Sequence, residues 1–208
     1  MGDRGRLMGD KIAVGYNQIA DRWVSDDFPL ENGIAQHERA LSFVDKKGYA
    51  LEIGCGGNGR FIDLLLRRGF HVEGVDISER MLSLVRERHP EVTFYHADIC
   101  SWNIPRKYAF ISAWDSIWHI PLSSQKQVLG KIIQSLEPRG IFIFSAGGVD
   151  APEEKTDSFM GPEMYYSTLG IPELLSVLGS LGCICRHLEY DQYPEKHLYV
   201  IAQKMYSR

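Results

Sequence analysis

Apolar residues come in short blocks along this chain, and the spacing inside each block separates two kinds of element. Ile12, Tyr16, Ile19, Ala20 and Trp23 recur at helical intervals, which predicts a helix over residues 11–24 with one apolar face. A second helical stretch covers 34–44. Residues 49–53 form a compact apolar run, too brief for a helix, and predict a buried strand. Helical spacing resumes at Phe61 and runs through Leu66. Strand-like runs then follow at 69–76, 92–96, 108–114 and 141–146, with helical stretches at 79–88 and 123–136. Ser78 is placed to cap the first of these helices, and Pro138-Arg139-Gly140 reads as a turn before the last strand of the set.

Strands alternating with helices predict an α/β architecture on a mostly parallel, doubly wound sheet. Two further strands, 184–190 and 198–203, are joined by so short a segment that they should pair as a C-terminal antiparallel hairpin, giving seven strands in all. Between 147 and 170 the pattern lapses. That stretch holds Pro152, Pro162 and Met164-Tyr165-Tyr166, and it is expected to be a lid-like loop. The whole of 1–208 reads as one domain, with 1–47 a helical cover laid over it.

The first strand breaks into Gly54, Gly56, Gly57 and Gly59 before the next helix begins. Strand, glycine turn and helix together present free backbone N–H groups at a helix start, which suits an anionic or polar ligand. Gly54 permits the tight turn, and Gly56 leaves room for close approach of a ligand. Two carboxylates stand at later strand ends, Asp76 and Asp98, where open α/β sheets bind ligands. Asp76 lies 22 residues past Gly54, a distance that suits a hydrogen bond to ribose hydroxyls.

Composition narrows the ligand. The 208 residues are 44% hydrophobic and 24% charged with a net charge of −4, so no basic footprint for nucleic acid is present. A small molecule is the expected partner, and a monomer or homodimer the expected state. No apolar run approaches the ~20 residues of a membrane span, and residues 1–10 are polar and glycine-rich. Four cysteines (Cys55, Cys100, Cys183, Cys185) without a secretory leader point to reduced thiols in a cytoplasm. Cys183, Cys185 and His187 alternate along a strand, but three such positions rarely converge on one tetrahedral centre, and no metal is expected.

In order and spacing the chain resembles the class I methyltransferases that use S-adenosylmethionine, over roughly residues 16–204. The residues that carry the likeness are Leu51-Glu52-Ile53-Gly54-Cys55-Gly56, Gly74-Val75-Asp76-Ile77-Ser78, Ala97-Asp98-Ile99, Asp115-Ser116-Ile117-Trp118-His119 and Leu136-Glu137-Pro138-Arg139-Gly140-Ile141. Tyr16-Asn17-Gln18-Ile19-Ala20 looks like the N-terminal helix that closes over the cofactor in small-molecule members. The resemblance implies S-adenosylmethionine as cofactor and S-adenosylhomocysteine as product, on a seven-stranded Rossmann-like fold. It implies that Gly54, Cys55 and Gly56 contact the methionine half, with Glu52 buttressing the turn and Tyr16 closing above. Asp76 would hold the ribose and Ile77 pack on the adenine, while Asp98 would accept from the adenine amino group beside Ile99. Trp114 and Asp115 would sit where the transferred methyl emerges. Asn58 departs from the glycine common in that family.

Gly54, Gly56 and Gly59 also spell the literal G-x-G-x-x-G of dinucleotide binders, so a nicotinamide-dependent oxidoreductase stays open as an alternative. No tyrosine has a lysine four residues later, as the short-chain dehydrogenases require, and no room is left for a substrate domain. A non-catalytic binding or interaction module on the same fold is the other alternative. Methyl transfer needs alignment and exclusion of water, and a general base only where the acceptor must lose a proton. His119 is the first candidate for that base and His197 the second, each set against plain packing. Trp118, Tyr165 and Tyr166 are candidates to line the acceptor pocket.

Overall fold

The computed structural model describes residues 3–206; Met1, Gly2, Ser207 and Arg208, the ends of the expected 1–208 domain, lie outside the described residues. The chain begins with helix α1 (Asp3–Ile19), which passes into a single 3₁₀ turn at Ala20–Val24. Helix α2 (Ile34–Leu41) precedes strand β1 (Tyr49–Ile53). Then come α3 (Arg60–Arg67), β2 (His71–Asp76), α4 (Glu79–Arg88), β3 (Thr93–His96), β4 (Tyr108–Ala113), α5 (Gln125–Gln134) and β5 (Leu136–Gly147). A hairpin of β6 (Glu153–Asp157) and β7 (Met164–Thr168) follows, and α6 (Ile171–Ser180), β8 (Cys183–Tyr190) and β9 (His197–Lys204) complete the described chain.

Seven strands form one sheet in the order β3-β2-β1-β4-β5-β9-β8. The first five are parallel, and β9 inserts antiparallel to β5, from Ile141↔Gln203 to Gly147↔His197. Strand order reverses between β1 and β4, so their carboxyl ends flank the crevice in which such sheets bind ligands. Alternate residues feed two cores. Leu51, Ile53, Ile111, Phe142 and Phe144 pack under α5 and α6, while Ala50, Phe110, Ile141 and Ile143 pack under α3. Burial on both faces explains why β4 is apolar and buried throughout, with Ser112 its one polar member.

Four expectations change. Residues 147–170 are not an irregular loop: β6 and β7 pair antiparallel, Glu153↔Thr168 to Asp157↔Met164. The alternation was hidden because β6 is charged and exposed, and only Met164 and Ser167 of β7 turn fully inward. Pro138-Arg139-Gly140 is not a free turn, but a bulge inside β5, with Arg139 at φ 64° and the pairing to β4 shifted around it. The expected 11–24 helix divides between α1, which ends at Ile19, and the 3₁₀ turn that begins at Ala20. A further bulge, between Cys185 and His187, breaks the alternation that placed Cys183, Cys185 and His187 on one face. No described helix is long and apolar enough to cross a membrane.

Candidate active site

One cavity of about 230 Å³ opens at the carboxyl ends of β1, β2 and β4, under α1 and the segment that follows it. Its floor begins at the glycine turn. Gly54 and Gly56 have φ of 70° and 61°, a left-handed backbone that glycine adopts at no steric cost. A Cβ on Gly54 would run into the side chain of Ser116, whose hydroxyl donates to the Ile53 carbonyl at 2.9 Å. Gly56 instead faces space, with only Trp23 near the place a Cβ would take, at 3.6 Å. Its N–H donates to Asp76 Oδ2 at 2.9 Å, while Ser78 N–H donates to Oδ1 at 2.8 Å. Asp76 therefore ties the glycine turn to the α4 cap. Burial raises its pKa, against the hydrogen bonds from Ser78 and Gly56 that lower it.

Asp98 stands at the end of β3 and accepts from Cys100 N–H at 2.8 Å. Ile77, Ile99, Trp114 and Asp115 line the same cavity, as do Cys55 and Tyr16. Glu52 alone of the cofactor residues expected from the sequence lies outside the lining, in the layer beneath. Its Oε1 is 3.1 Å from Ser112 Oγ, and Ser112 Oγ is 2.7 Å from His37 Nε2. His37 Nδ1–H donates to the Gly33 carbonyl at 2.7 Å, and burial lowers this imidazole to about 3, so Nε2 is bare. The single proton of Ser112 must then go to His37. A hydrogen bond to Glu52 therefore requires the proton to sit on Glu52, whose pKa burial pushes up to about 8. Glu52 is a neutral acid in this arrangement.

The roof is built from parts far apart in sequence. Asn17 Oδ1 of α1 accepts from Ser78 Oγ at 2.8 Å and from Arg80 N–H at 3.1 Å, which docks α1 on the start of α4. The preceding residue, Tyr16, reaches His119. The His119 Nδ1–H donates to the Tyr165 carbonyl at 2.8 Å, which leaves Nε2 as an acceptor for Tyr16 O–H at 2.7 Å and Trp118 Nε1–H at 3.1 Å. Burial lowers His119 to about 4, so it is neutral and its lone pair is already occupied. Trp118 and Tyr166 pack on His119, with ring centroids at 6.2 and 4.8 Å. Tyr165 lines a separate groove, where its hydroxyl donates to Glu154 at 2.7 Å.

His197 is held differently. Its Nδ1 is 2.5 Å from Asp191 Oδ1, and its Nε2 is 2.9 Å from Asp115 Oδ1. Burial works to lower its pKa, but the bonds and charges of Asp115 and Asp191 together overcome burial and raise it. Gln36 of α2 donates to the other Asp191 oxygen at 2.8 Å. Asp115 itself sits at φ 50°, fixed by its N–H donating to Ser145 Oγ at 2.6 Å. Its Oδ2 makes no hydrogen bond among the described residues, and its side chain is 37% exposed, on the cavity wall. Asp191, Gln36, Asn17 and His37 were not foreseen from the sequence. Nothing in their local pattern distinguishes them from surface or packing residues.

Residues 50–140 match the family model described as a methyltransferase domain. The phosphoethanolamine N-methyltransferase of Plasmodium falciparum is 22% identical over 187 residues, 83% of this chain and 70% of that one. A trans-aconitate 2-methyltransferase of Sinorhizobium medicae is 40% identical over 67 residues, only 32% of this chain and 26% of that one. Among solved structures, the 1,6-didemethyltoxoflavin-N1-methyltransferase of Burkholderia thailandensis superposes with a TM-score of 0.76 at 18% identity, covering 98% of this chain and 90% of the other. Residues 50–140, the glycine turn among them, thus match a methyltransferase domain, and the chain as a whole shares the fold of that solved methyltransferase.

Proposed function

We propose that the protein transfers a methyl group from S-adenosylmethionine to a small-molecule acceptor by in-line displacement. The observation that carries this reading is the bond between Gly56 N–H and Asp76 at the floor of one roofed cavity. It puts the glycine turn beside a carboxylate that, in this reading, would hold the ribose. The cradle fits the cofactor: a Cβ is excluded at Gly54 by Ser116, and space is left at Gly56. When bound, S-adenosylmethionine would supply an electrophilic methyl whose sulfur loses its positive charge on transfer. Gly54, Cys55 and Gly56 would hold its methionine half, Asp76 its ribose, and Asp98, Ile77 and Ile99 its adenine.

The chain's own groups then orient the acceptor and keep out water. Tyr16, locked on His119, closes the cavity from above and is kept protonated by burial, with the charges of Tyr166, Asp115 and Asp76 adding to the effect. His119 acts as the pin between α1 and β7. Its lone pair is taken by Tyr16 and Trp118, so it holds no proton-accepting position toward the cavity. Asp115 does. Its free Oδ2 on the cavity wall receives the proton of an acceptor hydroxyl, amine or thiol, while His197, backed by Asp191, holds Oδ1 in place. The base role expected of a histidine thus passes to a carboxylate that a histidine positions.

The assay is release of S-adenosylhomocysteine from S-adenosylmethionine, run against a panel of small hydroxylated, amine and carboxylic compounds. Acceptor-dependent release is expected. Tight binding of S-adenosylhomocysteine with no release across the panel would favour a non-catalytic module instead.

A further inference from the structure

The geometry around His197 fixes the charge of its cluster. Both ring nitrogens face a carboxylate oxygen, Asp191 Oδ1 at 2.5 Å and Asp115 Oδ1 at 2.9 Å. An ionised carboxylate only accepts, so both nitrogens must donate and the ring is an imidazolium. Two negative charges then stand against one positive charge. Asp191 is sealed in, its side chain 5% exposed, and its other oxygen accepts from Gln36 at 2.8 Å. Asp115 is the member that meets the cavity. Its Oδ1 takes two donors, His197 Nε2 and Ser145 Oγ at 3.1 Å, while Oδ2 takes none among the described residues. The rest of the lining leans to the same sign. Asp76 and Asp98 add two carboxylates, Arg60 is the single guanidinium among the lining residues, and buried His119 is neutral. An excess of carboxylates in a walled cleft favours a cation and disfavours an anion. Trp23 and Trp114 add indole surface, the best aromatic partner for a cation.

We propose that the methyl acceptor is an amine nitrogen, held through an N–H donor by Asp115 Oδ2. This rests on the methyl-transfer reading and narrows its acceptor to one class. The amine attacks as its free base. Its lone pair forms the new N–C bond, and the pair of the broken C–S bond returns to sulfur. The positive charge that leaves sulfur thus arrives on nitrogen, beside a cluster whose net negative charge is already in place. The surplus proton then leaves along the N–H bond to Oδ2, and from there to water. A hydroxyl fits less well, because it must give up its proton while it attacks. That calls for a base that titrates near neutrality, whereas carboxylates ordinarily titrate at about 4. A thiol attacks as its thiolate and an acid as its carboxylate, and either would set an anion against Asp115.

The test is release of S-adenosylhomocysteine from S-adenosylmethionine with matched sets of compounds. Each set holds an amine with the alcohol, thiol and carboxylic acid of the same skeleton; benzylamine, benzyl alcohol, benzyl mercaptan and benzoic acid make one. Release from at least one amine, exceeding that from each of its matched partners by about 10-fold or more, is expected. A smaller margin, or release from an alcohol, thiol or acid in the amine's place, overturns the proposal and leaves methyl transfer standing. Release from no member, with S-adenosylhomocysteine still bound, sinks the methyl-transfer reading itself. A binding arm isolates Asp115. The responding amine and its matched alcohol are titrated onto the S-adenosylhomocysteine complex of wild type and Asp115→Asn. The variant should weaken the amine about 10- to 100-fold and the alcohol less than about 3-fold. Equal losses for the two would reduce Asp115 to a wall residue and overturn its part in choosing the acceptor.

Discussion

The floor and the roof of the cavity are made in opposite ways. The floor uses backbone groups and a carboxylate from neighbouring strands: Gly54 N–H bonds to Val75 O at 2.8 Å, and Gly56 N–H to Asp76 at 2.9 Å. The roof uses side chains brought from distant parts of the chain. Tyr16 meets His119 across 103 residues, His197 meets Asp115 across 82, and Gln36 meets Asp191 across 155. A floor of strand ends and tight turns tolerates little change. Under the proposed methyl-transfer reading, a roof of side-chain bonds could be rebuilt for a different acceptor without disturbing the floor.

The largest break in that contrast should come from Gly54→Ala. Its φ of 70° and the Ser116 side chain facing it leave no place for a methyl group. A loss of about 2–5 kcal/mol in stability, and of measurable cofactor binding, is expected. Thermal unfolding and calorimetry would check both, and an unchanged melting temperature would show the turn to be softer than its geometry.

Asp115→Asn tests the roof. Asparagine tolerates the same left-handed backbone and keeps the shape of the side chain, but cannot take a proton. Turnover should fall about 10²- to 10⁴-fold with S-adenosylhomocysteine affinity nearly constant. Equal losses in both would move Asp115 from the acceptor side to the cofactor side. Asp76→Ala returns to the floor: Gly56 and Ser78 lose their acceptor, and cofactor affinity should drop by about 1.5–3 kcal/mol. Full affinity in that variant would remove Asp76 from the ribose position.

The smallest expected effect is Glu52→Gln. A neutral Glu52 is mimicked by glutamine, which donates to Ser112 and keeps a carbonyl at Oε2, so stability near pH 7 should change by less than about 0.5 kcal/mol. The pH dependence gives the sharper reading. With a folded pKa of about 8 against 4.5 unfolded, the native state holds a proton that the unfolded chain releases, so this residue's share of stability declines as pH rises from about 4.5 to 8. Urea melts across that window should show the decline in wild type and its absence in the variant; a strongly destabilised Glu52→Gln would mean that Glu52 is ionised.

The same contrast explains what the sequence alone could tell. The glycine turn, Asp76 and the Ser78 cap were legible because each is a local rule: a turn residue, a strand end, a helix start whose hydroxyl accepts from Met81 N–H at 3.1 Å. Six of the seven sheet strands sit within about two residues of where periodicity placed them. β5 departs further, because its bulged start reads as a turn. The roof was legible only in its ingredients. His119 and His197 stood out as residue types, but their states depend on partners that no local window contains: a Tyr165 carbonyl in one case, and Asp191 beside Gln36 in the other. The β6–β7 hairpin escaped because an exposed charged strand has no apolar period to detect.

The most direct test of the account is calorimetric titration of the wild-type protein with S-adenosylhomocysteine, run beside NADH. Micromolar binding of the first and none of the second is the predicted result. NADH binding without S-adenosylhomocysteine would contradict it, and would mean that the G-x-G-x-x-G turn serves a dinucleotide.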